Sequence, residues 1–427
     1  MRRHSLVLVV VVVALTAIVA PVADAAPVRS GAAVKAPAET AAVLAWNQHA
    51  TDALIATAAQ PPNVAVLHMA MVEGAVYDAV NAIDGGHEPY LVAPRAKRWY
   101  STDAAAATAA YRVLVNVVPA QQAHLQELYQ ASLDAIPDGR AKDGGIRVGD
   151  AAAAAMLAAR ADDGRFGSFR FPVGTAPGEW RPVLPAFVND PNGWVARVTP
   201  FLIRDPAQFR SRGPNALTSN RYAQEFAEVQ AVGSLTSTTR SADQTDAAQF
   251  WAENAVGMWN RITRQLTTER QLGNVDAARL FARLNLTAAD AVIACWDDKA
   301  HWGYWRPITA IREADNDGNP ATTADPEWLP LLNTPPYPDH PSGHNCLSSS
   351  VVSTLRDYFG TDKVSFGATS AASGTTRSFT RFSQARQEII NARVWSGIHF
   401  RTADEQGATI GKQVAHWSRT HFFHPTH

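Results

Sequence analysis

A chain of 427 residues that is 46% hydrophobic can bury a large core, and it is long enough for two domains or one elaborated domain. With 38 basic and 39 acidic side chains the formal charge is −1, and no long run of one sign occurs, which excludes the electrostatic footprint of a nucleic-acid binder. Any recognition of an anion must therefore be local.

The first 25 residues have the pattern of a signal peptide. Arg2, Arg3 and His4 precede an apolar stretch from Leu6 to Ala20, and Ala23-Asp24-Ala25 supplies a small-x-small cleavage site. The apolar run is shorter than the roughly 18 residues that a membrane span requires, and no later segment is long and apolar enough. The mature protein is expected to be soluble and exported, to the periplasm, the cell-envelope exterior or the medium. Residues 26–40, rich in Ala, Pro and Val, predict a flexible lead-in.

From Ala41 the pattern is helical. Residues 41–59, 64–83, 102–118, 120–136 and 145–162 carry apolar side chains three and four apart, and residues 41–163 form an N-terminal helical half. Between 164 and 215 the composition turns to Pro, Gly, Arg and aromatics; Pro172, Pro177, Pro182, Pro185, Pro191, Pro200, Pro206 and Pro214 forbid a long helix and predict an arm or loop. Such a stretch in a compact protein forms a lid, a binding wall or an interface. Helical spacing returns at 219–232, 244–266 and 274–299, breaks at 316–340, and resumes at 345–359, 383–398 and 404–419. Residues 216–427 form the C-terminal catalytic half. Alternating strand-like runs are scarce, so the expected fold is all-α, two helical bundles, with the active site in the C-terminal bundle.

Three segments of that half carry chemistry. In Lys299-Ala-His-Trp-Gly-Tyr-Trp-Arg306-Pro307 the two cations are seven apart, nearly two turns, which places both on one face if the helix continues; Pro307 would end or kink it. Two fixed cations on one face want an oxyanion. Pro341-Ser342-Gly343-His344 leads from a Pro-rich turn into a helical run, so Ser342 or its neighbours can cap a helix whose free N–H groups face an anion. Gly343 permits close backbone approach to a ligand, and His344 can give or take a proton. Arg393 and His399 add a third cation and a second imidazole; a straight helix would splay them by about 120°, so Ser396-Gly397 is a place for a bend. Singly each segment has a bland reading as a solvated face or a turn.

Taken together, the segments resemble the signature of the type 2 phosphatidic acid phosphatase and vanadium-dependent haloperoxidase superfamily: Lys, six residues, Arg-Pro; Pro-Ser-Gly-His; Ser-Arg, five residues, His. Lys299, Arg306, Pro307, Pro341, Ser342, Gly343, His344, Arg393 and His399 match in identity and spacing; Ala392 stands where the family has Ser. Tyr337-Pro338-Asp339-His340 and the helical N-terminal half look like its bacterial exported haloperoxidase-like branch. The resemblance implies that Lys299, Arg306, Ser342, Gly343 and Arg393 bind the oxygens of phosphate or vanadate. It implies that His399 is the axial ligand of vanadate, or the nucleophile of a phosphatase forming a phosphohistidine, and that His344 is the acid-base group. The expected cofactor is vanadate and the expected partners are hydrogen peroxide and halide. The alternatives are a soluble acid phosphatase acting on phosphate esters without that cofactor, and a non-catalytic exported binding protein on the same scaffold. Because vanadate mimics the five-coordinate phosphoryl-transfer transition state, these residues do not separate the first two.

The remaining features carry less. Asp315-Asn316-Asp317-Gly318-Asn319 has the oxygen-rich look of a Ca²⁺ loop, but Pro326 stands where a closing glutamate belongs, so a turn is expected. His416, His421, His424 and His427 suggest a frayed, exposed tail, and His301 a structural side chain. Trp302, Tyr304 and Trp305 are pocket candidates only by proximity, with aromatic core the more natural reading. Cys295 and Cys346 leave both a single disulfide and two buried thiols open.

Overall fold

The computed structural model describes residues 41–426, so the expected signal peptide, the lead-in and His427 lie outside the described residues. Helices α1 (Ala41–Thr51), α2 (Pro62–Asp84), α3 (Thr102–Val117), α4 (Gln122–Asp134) and α5 (Arg140–Ala159) make up the first half, α1 running into one turn of π-helix at Asp52–Thr57. The second half contains α6 (Asn220–Gly233), α7 (Ala242–Phe250), α8 (Ala255–Glu269), α9 (Asn274–Trp302), α10 (Pro307–Arg312) and α11 (Gly343–Phe359). A hairpin of β1 (Phe366–Thr369) and β2 (Thr376–Phe379) then leads to α12 (Phe382–Trp395) and α13 (Arg401–His421). None of these helices is long and apolar enough to cross a membrane.

The central pair is α2 and α9. Both are buried around almost their whole circumference, the pattern of helices enclosed by others. Alanine-rich α3 packs between α2 and α5, where short side chains let backbones come close, and α11 and α13 pack on the other flank of α9. One continuous apolar core therefore runs from Val43 to Phe423, with α9 common to both halves. A smaller core around Tyr222, Trp305, Ile311, Trp328 and Phe400 seats α6 and α10.

Residues 164–215 contain no helix beyond the 3₁₀ segment Gly193–Arg197. A carboxylate fixes this arm: buried Asp290 of α9 accepts the N–H groups of Phe201, Leu202 and Ile203 at 2.6, 2.6 and 2.8 Å. Asp78 of α2 does the same for Tyr90, Leu91 and Val92. Backbone bonds from Trp180 N to Gly303 O, Trp305 N to Gly178 O and Asp190 N to Pro336 O lay the arm along the segments that carry the signature.

Two expectations are corrected, and one element lies where none was expected. The run 244–266 is two helices, because α7 stops at Phe250 and the Asn254 side chain caps α8 by accepting from Val256 N at 3.1 Å. The stretch between α11 and α12 holds the hairpin, with Phe366 paired to Phe379 and both buried. The C-terminal residues are docked: Phe423 is buried against Tyr77, and bonds from Glu88 N to His424 O and from Thr426 N to Gly86 O pair the segment with residues 86–88. His416 and His421 are exposed on α13, as is His301 on α9. Residues 315–319 form a turn in which Asp317 accepts from Asn319 N and Thr322 Oγ1.

Candidate active site

Lys299 and Arg306 do not share a helix. Gly303, in the left-handed region at φ 52°, terminates α9, and Arg306 is the N-cap residue of α10, with Pro307 in the first helical position. Pro307 thus begins a helix instead of ending one, its fixed φ and missing N–H suiting that place. The turn brings the two cations to the same strip of backbone. Lys299 Nζ donates to the carbonyls of Pro338 (2.6 Å) and Asp339 (3.0 Å), and Arg306 Nε donates to that of Tyr337 (2.8 Å). Both side chains are fully buried.

Held by those bonds, residues 337–342 feed into α11. Ser342 occupies its N-cap position, but the hydroxyl does not cap the helix; it accepts from Asn345 Nδ2 at 3.3 Å, and Asn345 also binds Asp404. A side chain at Gly343 would place its Cβ 2.7 Å from the Trp296 ring, so the glycine admits an indole against the first turn of the helix. His344 follows, its Nδ1 3.1 Å from Ser348 Oγ.

Arg393 lies in the last turn of α12, and His399 in the connection to α13. The bend between them is at Gly397, where φ is 78° and a Cβ would lie 2.3 Å from Gly233 O. Arg393 Nη1 donates to Trp251 O, the carbonyl exposed by the break between α7 and α8. His399 Nδ1 lies 2.7 Å from Asp339 Oδ1, and its Nε2 lies 3.2 Å from Arg306 Nη1. A carboxylate at that distance favours the proton on Nδ1, which leaves the Nε2 lone pair facing the Arg306 guanidinium.

Burial governs the charges. It holds the His399 imidazolium well below its ordinary range, helped by Arg306, Lys299 and Arg393, so His399 is neutral at neutral pH. Burial, then Arg393, lowers His344 to about 3. The Lys299 ammonium drops to about 8, chiefly through burial. Asp339 is pushed up to about 7 by burial, with Arg306 and Lys299 pulling back, and burial raises Asp404 as well. Three cations thus face two reluctant carboxylates, and Arg306 Nη2 and Arg393 Nε are buried without a hydrogen-bond partner among the described residues. A tetrahedral oxyanion such as vanadate or phosphate would satisfy that donor set.

Gly343, His344, Arg393 and His399 line a cavity of about 350 Å³. Lys299, Arg306 and Ser342 stand behind that lining, joined to it through Asp339, His399 and Gly343. Trp251, Trp296 and Tyr337 supply its aromatic wall, and Asp190, Pro191 and Asn192 of the arm close one side. Trp302 instead donates to Ser211 Oγ, and Tyr304 and Trp305 belong to the smaller core. Sequence reasoning gave no role to Asp339, although it quoted the segment containing it, and none to Trp251, Trp296, Tyr337, Asp190 or Asp404. Cys295 and Cys346 are free, buried thiols.

Residues 279–425 match the VCPO second helical-bundle domain. Over 223 residues the chain is 30% identical to the vanadium chloroperoxidase of Curvularia inaequalis; the alignment covers 42% of this chain and spans 36% of that protein's length. The fold is similar to that of the first bacterial vanadium-dependent iodoperoxidase, with a TM-score of 0.79 at 22% identity over 90% of this chain and 96% of the other. It is also similar to a holo-type bacterial vanadium-dependent chloroperoxidase, with a TM-score of 0.70 at 18% identity over 87% and 94%. Residues 279–425 are thus similar to the second helical bundle of a vanadium chloroperoxidase, and the fold as a whole is similar to those of bacterial vanadium-dependent haloperoxidases.

Proposed function

We propose that the protein is an exported vanadium-dependent haloperoxidase that oxidises halide with hydrogen peroxide. The observation that carries this reading is the buried cluster of Lys299, Arg306 and Arg393 around a neutral His399 whose Nδ1 is engaged by Asp339. In the reading, Lys299, Arg306, Arg393, Ser342 and the Gly343 N–H would hold the oxygens of vanadate, and His399 Nε2 would coordinate it. Bound vanadate supplies an electrophilic centre that activates peroxide toward halide. The chain's own residues do the rest. The two guanidiniums, both buried, fix negative charge where electrostatic stabilisation is strongest. Asp339 keeps the His399 lone pair aimed inward, and neutral His344 can take a proton from incoming peroxide. Likeness to haloperoxidase folds across both helical halves supports the peroxidase branch over a phosphatase.

The test is peroxide-dependent halide oxidation by the mature protein with and without orthovanadate, beside phosphate-ester hydrolysis in the same preparation and in His399→Ala. Vanadate-dependent oxidation lost in the variant is expected. Ester hydrolysis inhibited by vanadate, without halide oxidation, would make the protein a phosphatase, and silence in both a binding protein.

A further inference from the structure

At the far end of α11, about 25 Å along that helix from Ser342, an open recess of about 530 Å³ lies between α11 and α13. Arg356 of α11 and Lys412, His416 and Arg419 of α13 line it. These cations are short of acids. Lys412 has no ion pair among the described residues, and Arg356 and Arg419 reach only Asp357, at 3.7 and 3.6 Å. The other acid, Asp362, is taken by Ser383, accepting from its N–H at 2.9 Å and its hydroxyl at 2.6 Å. Like charges therefore face one another: burial, Arg386 and Arg356 hold the Lys412 ammonium below its usual range, and burial and Arg356 do the same to Arg386. In the wall of the recess Ser353 is 3% exposed, and its Oγ has no hydrogen-bond partner among the described residues. Arg356, Lys412 and Arg419, all solvent-exposed, line this one recess together with the buried Ser353.

We propose that this recess binds a tetrahedral oxyanion of the phosphate or sulfate class, separately from the site around His399, with Arg356, Lys412 and Arg419 donating to its oxygens and Ser353 Oγ completing the set. Charge-assisted donors to one anion are the strong kind, so losing one weakens binding about tenfold.

The experiment is calorimetric titration of inorganic phosphate, and separately of sulfate, into the full chain at low ionic strength. Potassium chloride at matched ionic strength is the control, because exposed charges are screened by salt. One binding event is expected to weaken at least tenfold in Arg356→Gln/Lys412→Gln and to survive in Arg393→Ala, while Asp357→Asn tightens it by removing the one acid that competes. If the double variant fails to fold, Ser353→Ala and Asp357→Asn carry the same comparison. Superimposable isotherms for the wild type and every one of these recess variants, or equal heat from chloride, would overturn the proposal.

Discussion

Replacing Asp339 with Asn removes one charge from the centre of the site while keeping its shape. Asp339 is fully buried, 2.7 Å from His399 Nδ1 and 3.7 Å from Arg306 Nη1. Two effects of opposite sign follow. A charge-assisted contact to His399 is worth about 1.5–3 kcal/mol, so its loss slows turnover by roughly 10- to 150-fold, because the imidazole is no longer held with its lone pair inward. The same substitution strips Arg306 of an attraction of roughly 4 kcal/mol at an effective dielectric near 20, leaving the cation cluster more positive toward an anion. In vanadate affinity the two effects oppose each other, so affinity should change by less than kcat falls. Steady-state halide oxidation at saturating vanadate gives the first quantity and calorimetric titration of vanadate the second, with circular dichroism to check the fold. A folded variant with kcat within twofold of wild type, or one that loses vanadate binding along with turnover, would refute the role given to Asp339.

The same carboxyl sets a pH dependence. Its folded value is raised to about 7, so the charged form that orients His399 accumulates only as pH rises through that range; kcat/KM should show an acid limb near 7 that is absent from Asp339→Asn. On the stability side the sign is reversed, since the folded state binds more protons than the unfolded one between the ordinary carboxyl range and about 7, and Asp339 lowers stability as pH rises across that window. Gly343→Ala would push a Cβ to 2.7 Å from the Trp296 ring; overpacking of about 1–3 kcal/mol and loss of vanadate binding are expected by denaturation and titration, and unchanged binding would show that Trp296 moves freely. Asp290→Ala orphans three backbone N–H groups of the arm, so urea unfolding should report a loss of about 3 kcal/mol or more; a change under 1 kcal/mol would mean the arm is held elsewhere.

Most helices were legible because their apolar residues repeat at helical spacing, and the arm because proline forbids the alternative. The break at Trp251–Asn254 was hidden: it contains neither Pro nor Gly, and its only local signal is Asn254 as a cap. The hairpin was too short, at four residues per strand, to show alternation above its surroundings. Among site residues, those with fixed spacing were readable, while their relative placement was not. Lys299 and Arg306 suggested one face of a helix, yet Gly303 divides them, and a glycine in a left-handed C-cap looks in sequence like any other glycine. Asp339 stood in a segment already noticed, but its partner His399 is sixty residues away and only the fold brings them together. Trp251 holds Arg393 through its carbonyl, a contact that no side-chain motif can reveal.

The most direct measurement is a titration of orthovanadate into the purified mature chain while peroxide-dependent iodide oxidation is followed. Activity rising linearly and breaking at one vanadium per chain, with no rise in His399→Ala, is the expected result. Activity that stays flat through the titration, in a preparation whose ester hydrolysis the same vanadate inhibits, would contradict the haloperoxidase reading.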